Sequence, residues 1–418
     1  MIPTHHTRQK ILPPRILPQM LLLSVLTAAA AQPRQETLDN GLTVTVVADL
    51  QLPHLVVQHW ITSGSASDPL TKPGLAHLVE HLVVRDSGLE ETVDALGGTL
   101  SAYTAPDYTR FTVEVGREHL AQTLRILTPV PISEATLASA RRVVREELAQ
   151  RSGYTARLRA AVDVAYWQAH PYANAASWML VEPDTLTAAD CAGFISAHYR
   201  PEQTHLIVVG PLDADDVFAT AAEHYGARRG EVVEPAPVSH TPPEQVRLKT
   251  GPAAVRLAGL IWPLPPTGHP DQPALQLALH LLPASAPSLM SGALSAGGHV
   301  SWGRTGSRLL LSGVYSALRS DERIVSDLAL TASATAQWLT EARLESTRAR
   351  LIRKTLGHRL DASALARGLG WSAVMRGEVD TIQSSVERLE SLTLAEVEAA
   401  WTRWIAAADP VEVLADVD

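Results

Sequence analysis

The order of predicted elements in this chain repeats. Two strands, a helix, a strand pair, several helices and a closing strand occur before residue 231 and again after 245. In the first half, β-branched runs at 41–47 and 54–61 read as strands. A helix is expected at 74–85, a hairpin over 99–105 and 107–115, helices at 117–127, 134–151, 157–169 and 187–198, and a strand at 205–209. The second half offers strands at 246–249 and 254–262, a helix at 272–282 and a strand pair at 299–303 and 308–315. Long helices over 321–388, a helix at 394–406 and a last strand at 411–414 complete it. Strands and helices that do not alternate strictly imply an α+β fold. The segment EVVEPAPVSHTPPEQ, 231–245, is rich in proline, lacks a helical period and reads as the linker. The proline run 263–270 reads as a rigid loop.

With 418 residues, 46% of them hydrophobic, each half can bury a core of its own. Arg8, Lys10 and Arg15 precede an apolar run at 20–31 that ends in small residues, Ala29 to Ala31. This is the pattern of a secretory signal, with cleavage expected before Gln32. About twelve apolar residues cannot cross a bilayer that needs ~20, so no stable membrane insertion is expected. The organisation expected is therefore a signal peptide at 1–31, an N-terminal domain at 32–230, a linker at 231–245 and a C-terminal domain at 246–418. The exported product is expected in a bacterial periplasm. A net charge of −9 without a basic cluster in the mature region argues against nucleic acid as a partner. One cysteine, Cys191, permits no intrachain disulfide and no cysteine-based metal site, and reads as a small buried apolar residue.

The sixteen histidines are the supply of metal ligands. Most stand singly, and His119, His198, His224 and His358 read as ordinary packing or surface residues. His77-Leu-Val-Glu80-His81 is different. Residues four apart share a helical face, so His77 and His81 can hold one zinc ion. Glu80 lies on the same turn, in reach of the water whose proton it would take and pass to a leaving amine. An unpartnered Glu80 within the apolar run Leu75, Leu78, Val79, Leu82 and Val83 would be costly to bury.

A catalytic zinc usually takes three protein ligands. The helix 134–151 offers Glu146 and Glu147. Val143, Val144 and Leu148 flank Glu147 at helical spacing and place it on the apolar side, whereas Glu146 has Arg142 and Gln150 at four-residue spacing. Glu147 is therefore the expected third ligand, and Glu146 a surface acid.

Several segments now resemble a known family in order. They are Leu38-Asp-Asn-Gly-Leu42, Gly64-Ser-Ala, Gly74 through Leu82, Gly97-Gly-Thr-Leu-Ser-Ala-Tyr-Thr104, His170-Pro-Tyr172, Tyr199-Arg-Pro201 and Val208-Val-Gly210. Together they resemble the pitrilysin family of inverted-motif zinc metallopeptidases, which includes insulin-degrading enzyme and the mitochondrial processing peptidases. The resemblance implies two homologous αβ-roll domains, each a mainly antiparallel sheet packed against helices. It implies one zinc per chain held by His77, His81 and Glu147, with Glu80 as general base. It also places Ser101, Ala102, Tyr103 and Thr104 on an edge strand where a peptide substrate is added as a further strand.

Three positions depart from the family pattern. Ala140 stands where a second glutamate is common, and Ser101 where an asparagine is usual. In the second half, Ala293 and Val300 occupy the places of an arginine and a tyrosine that assist the substrate carbonyl, with His299 and Trp302 nearby. The leading reading is a zinc endopeptidase that is the metal-bearing member of a heterodimer with a paralogous subunit, a homodimer being the other assembly. The competing reading is a non-catalytic peptide-binding or structural subunit.

Overall fold

A computed structural model describes residues 31–86, 88–126, 134–151, 153–181, 183–226, 238, 240–249, 255–281, 292–316, 318–335 and 339–417. The expected signal, apart from Ala31, and most of the expected linker lie outside the described residues. None of the described helices is long and apolar enough to cross a membrane.

In the first half, β1 (Arg34–Thr37), β2 (Thr43–Ala48), β3 (Leu55–Ile61), β4 (Thr99–Thr104), β5 (Thr109–Val115) and β6 (Thr204–Gly210) form one sheet in the order β1-β2-β6-β3-β5-β4. Only the β2–β6 pair is parallel. In the second half, β7 (Gln245–Lys249), β8 (Val255–Leu264), β9 (Ser295–Ser301), β10 (Ser307–Ser316) and β11 (Val411–Val417) take the order β7-β11-β8-β10-β9, with only β7–β11 parallel. Without β1 the two orders match strand for strand, down to the position of the parallel pair. The repeat read from the sequence is thus a repeat of topology, and the α+β fold holds.

The helices of the first half are α1 (Leu75–Asp86), α2 (Leu89–Ala95), α3 (Leu120–Ile126), α4 (Glu134–Arg151), α5 (Tyr154–Trp167), α6 (Pro171–Ser177), α7 (Ala188–His198) and α8 (Ala214–Tyr225). Those of the second are α9 (Gln272–Leu281), α10 (Asp321–Thr335), α11 (Glu341–Gly357), α12 (Ala362–Arg376), α13 (Ile382–Ser391) and α14 (Leu394–Trp401). The helical stretch expected over 321–388 is broken into α10 to α13. Asp361 and Thr381 cap the starts of α12 and α13, and Gly377 ends α12 at φ 79°. Strand β1 and helices α2, α6 and α8 were not foreseen; β1 (RQET) has no apolar residue to signal it. The proline run does not begin as a loop. Pro263 lies in β8 opposite Arg308, two residues past Ile261, where pairing with β11 stops, so its missing N–H breaks no ladder bond on that side.

Both faces of each sheet are covered. Val44, Val46, Val57, Leu206 and Val208 point into a core with Leu78 and Leu82 of α1, Val144 of α4 and Phe194 of α7. The alternate residues Val47, Val56, Trp60, Ile207 and Val209 meet Ala362, Ala366 and Leu369 of α12, a helix of the second half. The second sheet answers in kind. Ala258, Leu260, Trp262 and Leu309 face Leu275 and Ala278 of α9, while Leu257, Ile261 and Val413 meet Leu158, Val162 and Tyr166 of α5, a helix of the first half. Each half therefore lends a helix to the other.

The closest approach in this exchange is at Gly370, where a Cβ would stand 2.1 Å from the indole nitrogen of buried Trp60. Nothing lies within 4 Å of a Cβ built on Gly368, two residues earlier on the same helix. Gly370→Ala should lower the unfolding free energy by ~1–3 kcal/mol through overpacking. Gly368→Ala should raise it by ~0.5–1 kcal/mol, the ordinary helix gain. Urea unfolding of the two variants beside the parent checks both signs.

Candidate metal centre

Helix α1 begins on a carboxylate seven residues upstream. Asp68 accepts hydrogen bonds from the amides of Gly74 (2.7 Å) and Ala76 (2.8 Å), donors that a helix start leaves without a partner. Gly74 makes the turn at φ 88°, in the region that favours glycine. Burial pushes the Asp68 carboxyl up to about 7, against the pull of those amides and of His77. Asn174 of α6 fixes the same loop by donating to the Asp68 carbonyl oxygen at 2.8 Å. So anchored, α1 buries Leu75, Leu78, Val79 and Leu82 in the first core, turns His77 and Glu80 into a pocket and sets His81 beside His77.

Helix α4 packs across α1 and brings Glu147 to the two histidines. His77 Nε2 and His81 Nε2 are 3.3 Å apart, His77 Nε2 is 3.4 Å from Glu147 Oε2, and His81 Nε2 is 3.7 Å from Glu147 Oε1. Among the described residues this is the one group of three that could hold a metal ion. The His77 imidazole, 3.4 Å away, pulls the Glu147 carboxyl down to about 2 against its burial. Glu146 is exposed on the far side of the same turn, as its helical phase implied. Ala140 is fully buried among apolar neighbours, so the position where a second acid was sought is core. The Trp178 ring stands 4.7 Å from that of His77 and walls the histidine pair.

Glu80 is 7% exposed and accepts a 2.5 Å hydrogen bond from the Thr104 hydroxyl. Burial pushes its carboxyl up, opposed first by the charge of His77 and then by that hydrogen bond. Two acids of one pocket thus differ in proton affinity because one is desolvated and the other is paired.

Thr104 ends β4, the edge strand next to β5. Ala102 and Thr104 point toward α1 and, with Tyr103, line the pocket of about 290 Å3 that contains His77, Glu80 and Glu147. Ser101 is exposed and lies outside that lining. Gly64 permits the tight seam beside the strand end, where Ser65 N donates to Ala105 O at 3.0 Å; a Cβ on Gly64 would meet that oxygen at 1.9 Å. Tyr103, Pro106 and Trp178 are shared with a larger cleft of about 840 Å3 whose far wall includes His299, Ser301 and Trp302 of the second half. Ala293 and Val300 instead pack against the second core.

Two family models match the chain in sequence. Insulinase (peptidase family M16) matches residues 49–176, and the peptidase M16 inactive domain matches 185–302, together more than half of the chain. The chain belongs to peptidase family M16. All four residues of the centre fall in the first of these M16 segments. An uncharacterized zinc protease of Mycobacterium tuberculosis is 28% identical over 212 residues, 48% of either chain. A zinc protease of Helicobacter pylori is 25% identical over 296 residues, 64% of this chain and 65% of that one. The chain spans about half the length of the first curated relatives it matches. Among solved structures, a protease from Helicobacter pylori superposes with a TM-score of 0.80 at 18% identity, covering 93% of this chain and all 100% of its own. A peptidase M16 inactive domain from Pseudomonas fluorescens gives 0.77 at 16%, covering 93% and 98%. These likenesses confirm the M16 fold over nearly the whole length.

The structure brings together His77, His81 and Glu147, expected from the sequence, sets Glu80 in the same pocket as His77 and Glu147, and places the segment 101–104 on an edge strand. Sequence reading missed Asp68, whose cap reaches α1 across a loop instead of from the adjacent position, and Trp178, which carries no local signal. Asp68→Ala should cost ~1–2 kcal/mol of stability and lower metal affinity by loosening the α1 start, whereas Asp68→Asn should keep most of both. Urea unfolding and metal titration of the two variants check this.

Proposed function

We propose that this chain is a zinc-dependent endopeptidase that cleaves extended peptides or unfolded protein segments. The observation that carries the reading is the spacing of three donor atoms on two helices. Ligands held ~2.0–2.2 Å from a tetrahedral zinc stand ~3.3–3.5 Å from one another; the two histidine nitrogens are 3.3 Å apart, His77 is 3.4 Å from Glu147 Oε2, and His81 is 3.7 Å from Glu147 Oε1. Two imidazoles and a carboxylate are also a donor set that zinc prefers. His77, His81 and Glu147 would hold one zinc per chain. When bound, it supplies positive charge that polarises a peptide carbonyl and acidifies water.

The chain's own residues do the rest. The open edge of β4 offers backbone N–H and C=O groups to a peptide laid alongside it, which fixes the peptide's register at the pocket without reading its side chains. Glu80, held by Thr104, takes the proton of the attacking water and delivers it to the leaving amine. Trp178 and the walls of the pocket limit water, which strengthens each charge interaction within. A non-catalytic peptide-binding subunit would need none of these residues in register; His77, Glu80 and Glu147 in one pocket, with His81 beside His77 and Glu147, favour the enzyme. We further propose that the chain is exported to a bacterial periplasm and works as the zinc-bearing half of a heterodimer with a paralogous M16 subunit. The second half's Ala293 and Val300 leave the cleft without polar groups at those two positions.

The purified chain should contain about one zinc and lose peptide hydrolysis to chelators. Glu80→Gln should keep the metal and lose turnover by 10²-fold or more, about the worth of a general base. Glu147→Gln should lose zinc, and Glu146→Gln should not. Full turnover in Glu80→Gln overturns the mechanism. Assembly is read by sizing and hydrolysis together: the chain mixed with a paralogous neighbour should form a pair and cleave faster than either alone. Equal rates for the chain alone would refute the heterodimer.

A further inference from the structure

Arg151 is the last residue of α4, one turn beyond Glu147. Its Nη1 lies 3.5 Å from Glu147 Oε2, and its side chain is 62% exposed. Among the described residues lining the metal pocket it is the one arginine or lysine, and its charge acts on both Glu80 and Glu147. The same pocket is bounded by Ala102, Tyr103 and Thr104 of β4. A peptide paired with that edge passes the mouth at which Arg151 stands.

Hydrolysis of an amide puts negative charge on the carbonyl oxygen as water adds to the carbon. Donors aimed at that oxygen commonly supply ~3–4 kcal/mol of the barrier reduction. Two of the pocket's three hydroxyls are committed elsewhere, and the third, on Tyr103, belongs to a half-exposed side chain on the opposite face of β4 from Ala102 and Thr104. Thr104 donates to Glu80, and Ser65 to the Ala105 carbonyl at 3.4 Å. The second half offers Ala293 and Val300 to its own core. The Arg151 guanidinium carries five N–H donors on a long, solvent-exposed stem, and its ion pair with Glu147 leaves donors for a second acceptor.

We propose that Arg151 is a catalytic residue of the peptidase reaction, donating to the substrate carbonyl oxygen as it gains negative charge. The inference rests on the peptidase reading. Water adds to the carbonyl carbon, Glu80 takes one proton from it and passes it to the amine nitrogen as the C–N bond breaks, and Arg151 keeps its own protons throughout. The water's second proton leaves the new carboxyl group for the released amine, so the products are a carboxylate and a protonated amine.

The alternative role is structural, an ion pair that orients Glu147. The two roles separate on readouts beyond rate. In the full chain, with its partner where activity requires one, Arg151→Gln should lower kcat by ~10²-fold with KM changed less than threefold and zinc content and affinity unchanged. Binding of a phosphinic analogue of the cleaved peptide, which mimics the tetrahedral oxyanion, should weaken by the same factor. Binding of the uncleaved peptide, measured in the Glu80→Gln background, should not change. Arg151→Lys should recover part of both losses. Loss of zinc affinity in Arg151→Gln, an unchanged kcat, or equal weakening of analogue and peptide overturns the assignment and leaves the peptidase reading standing. A zinc-loaded parent that neither cleaves peptides nor binds the phosphinic analogue removes the reading and the assignment together.

Discussion

Two apolar faces per sheet, and covering helices from its own half for only one of them, is the constraint that organises this molecule. Strands β3 and β6 bury both faces, so Val56, Trp60, Ile207 and Val209 must find a partner that the first half does not supply. Helix α12 fills that place, and α5 does the same for the second sheet. A buried aliphatic side chain is worth ~1.5–3 kcal/mol, so the dozen residues in each exchange outweigh any surface ion pair between the halves. Asp107 and Tyr172 then complete the seam: the Tyr172 hydroxyl donates to Asp107 at 2.8 Å and accepts from Thr305 N at 3.2 Å, tying the β9–β10 turn to the first half.

The candidate metal centre is built on that rigidity at some electrostatic expense. Buried carboxylates at Asp68 and Glu80 lie under desolvation that raises their proton affinity. Each is compensated locally, Asp68 by the open amides of α1 and Glu80 by Thr104 and His77. The centre is therefore a chain of polar contacts from a loop, through a helix start, to an edge strand. Removing Asp68 would leave the α1 amides without their acceptor, and removing Thr104 would leave Glu80 without its donor.

Much of this was legible in the sequence because it follows local periodicity. The repeat of element order, the shared face of His77 and His81, and the inward phase of Glu147 against the outward phase of Glu146 all follow from 3.6-residue spacing. The exchange of α5 and α12 was not legible. Helix α5 reads only as a helix and α12 only as part of the helical stretch 321–388, and nothing in a helical pattern names the sheet it will cover. The runs Val56–Val57 and Leu206–Val209 did carry the hint, since strands covered on both faces lose their polar alternation. Asp68 and Trp178 were missed for a related reason, as each acts across a loop whose path only the fold defines.

The order of α4 and α5 has a mechanical meaning. Helix α4 carries Glu147 and Arg151 at its end, and only residues 152 and 153 separate it from α5. Helix α5 is seated on the sheet of the second half through Leu158, Val162 and Tyr166. Helix α4 itself is rooted in the first core through Val144 and Leu148, beside Leu78 and Leu82 of α1. Glu147 therefore keeps the same footing as His77 and His81, while the next helix in the chain is the one seated on the second sheet.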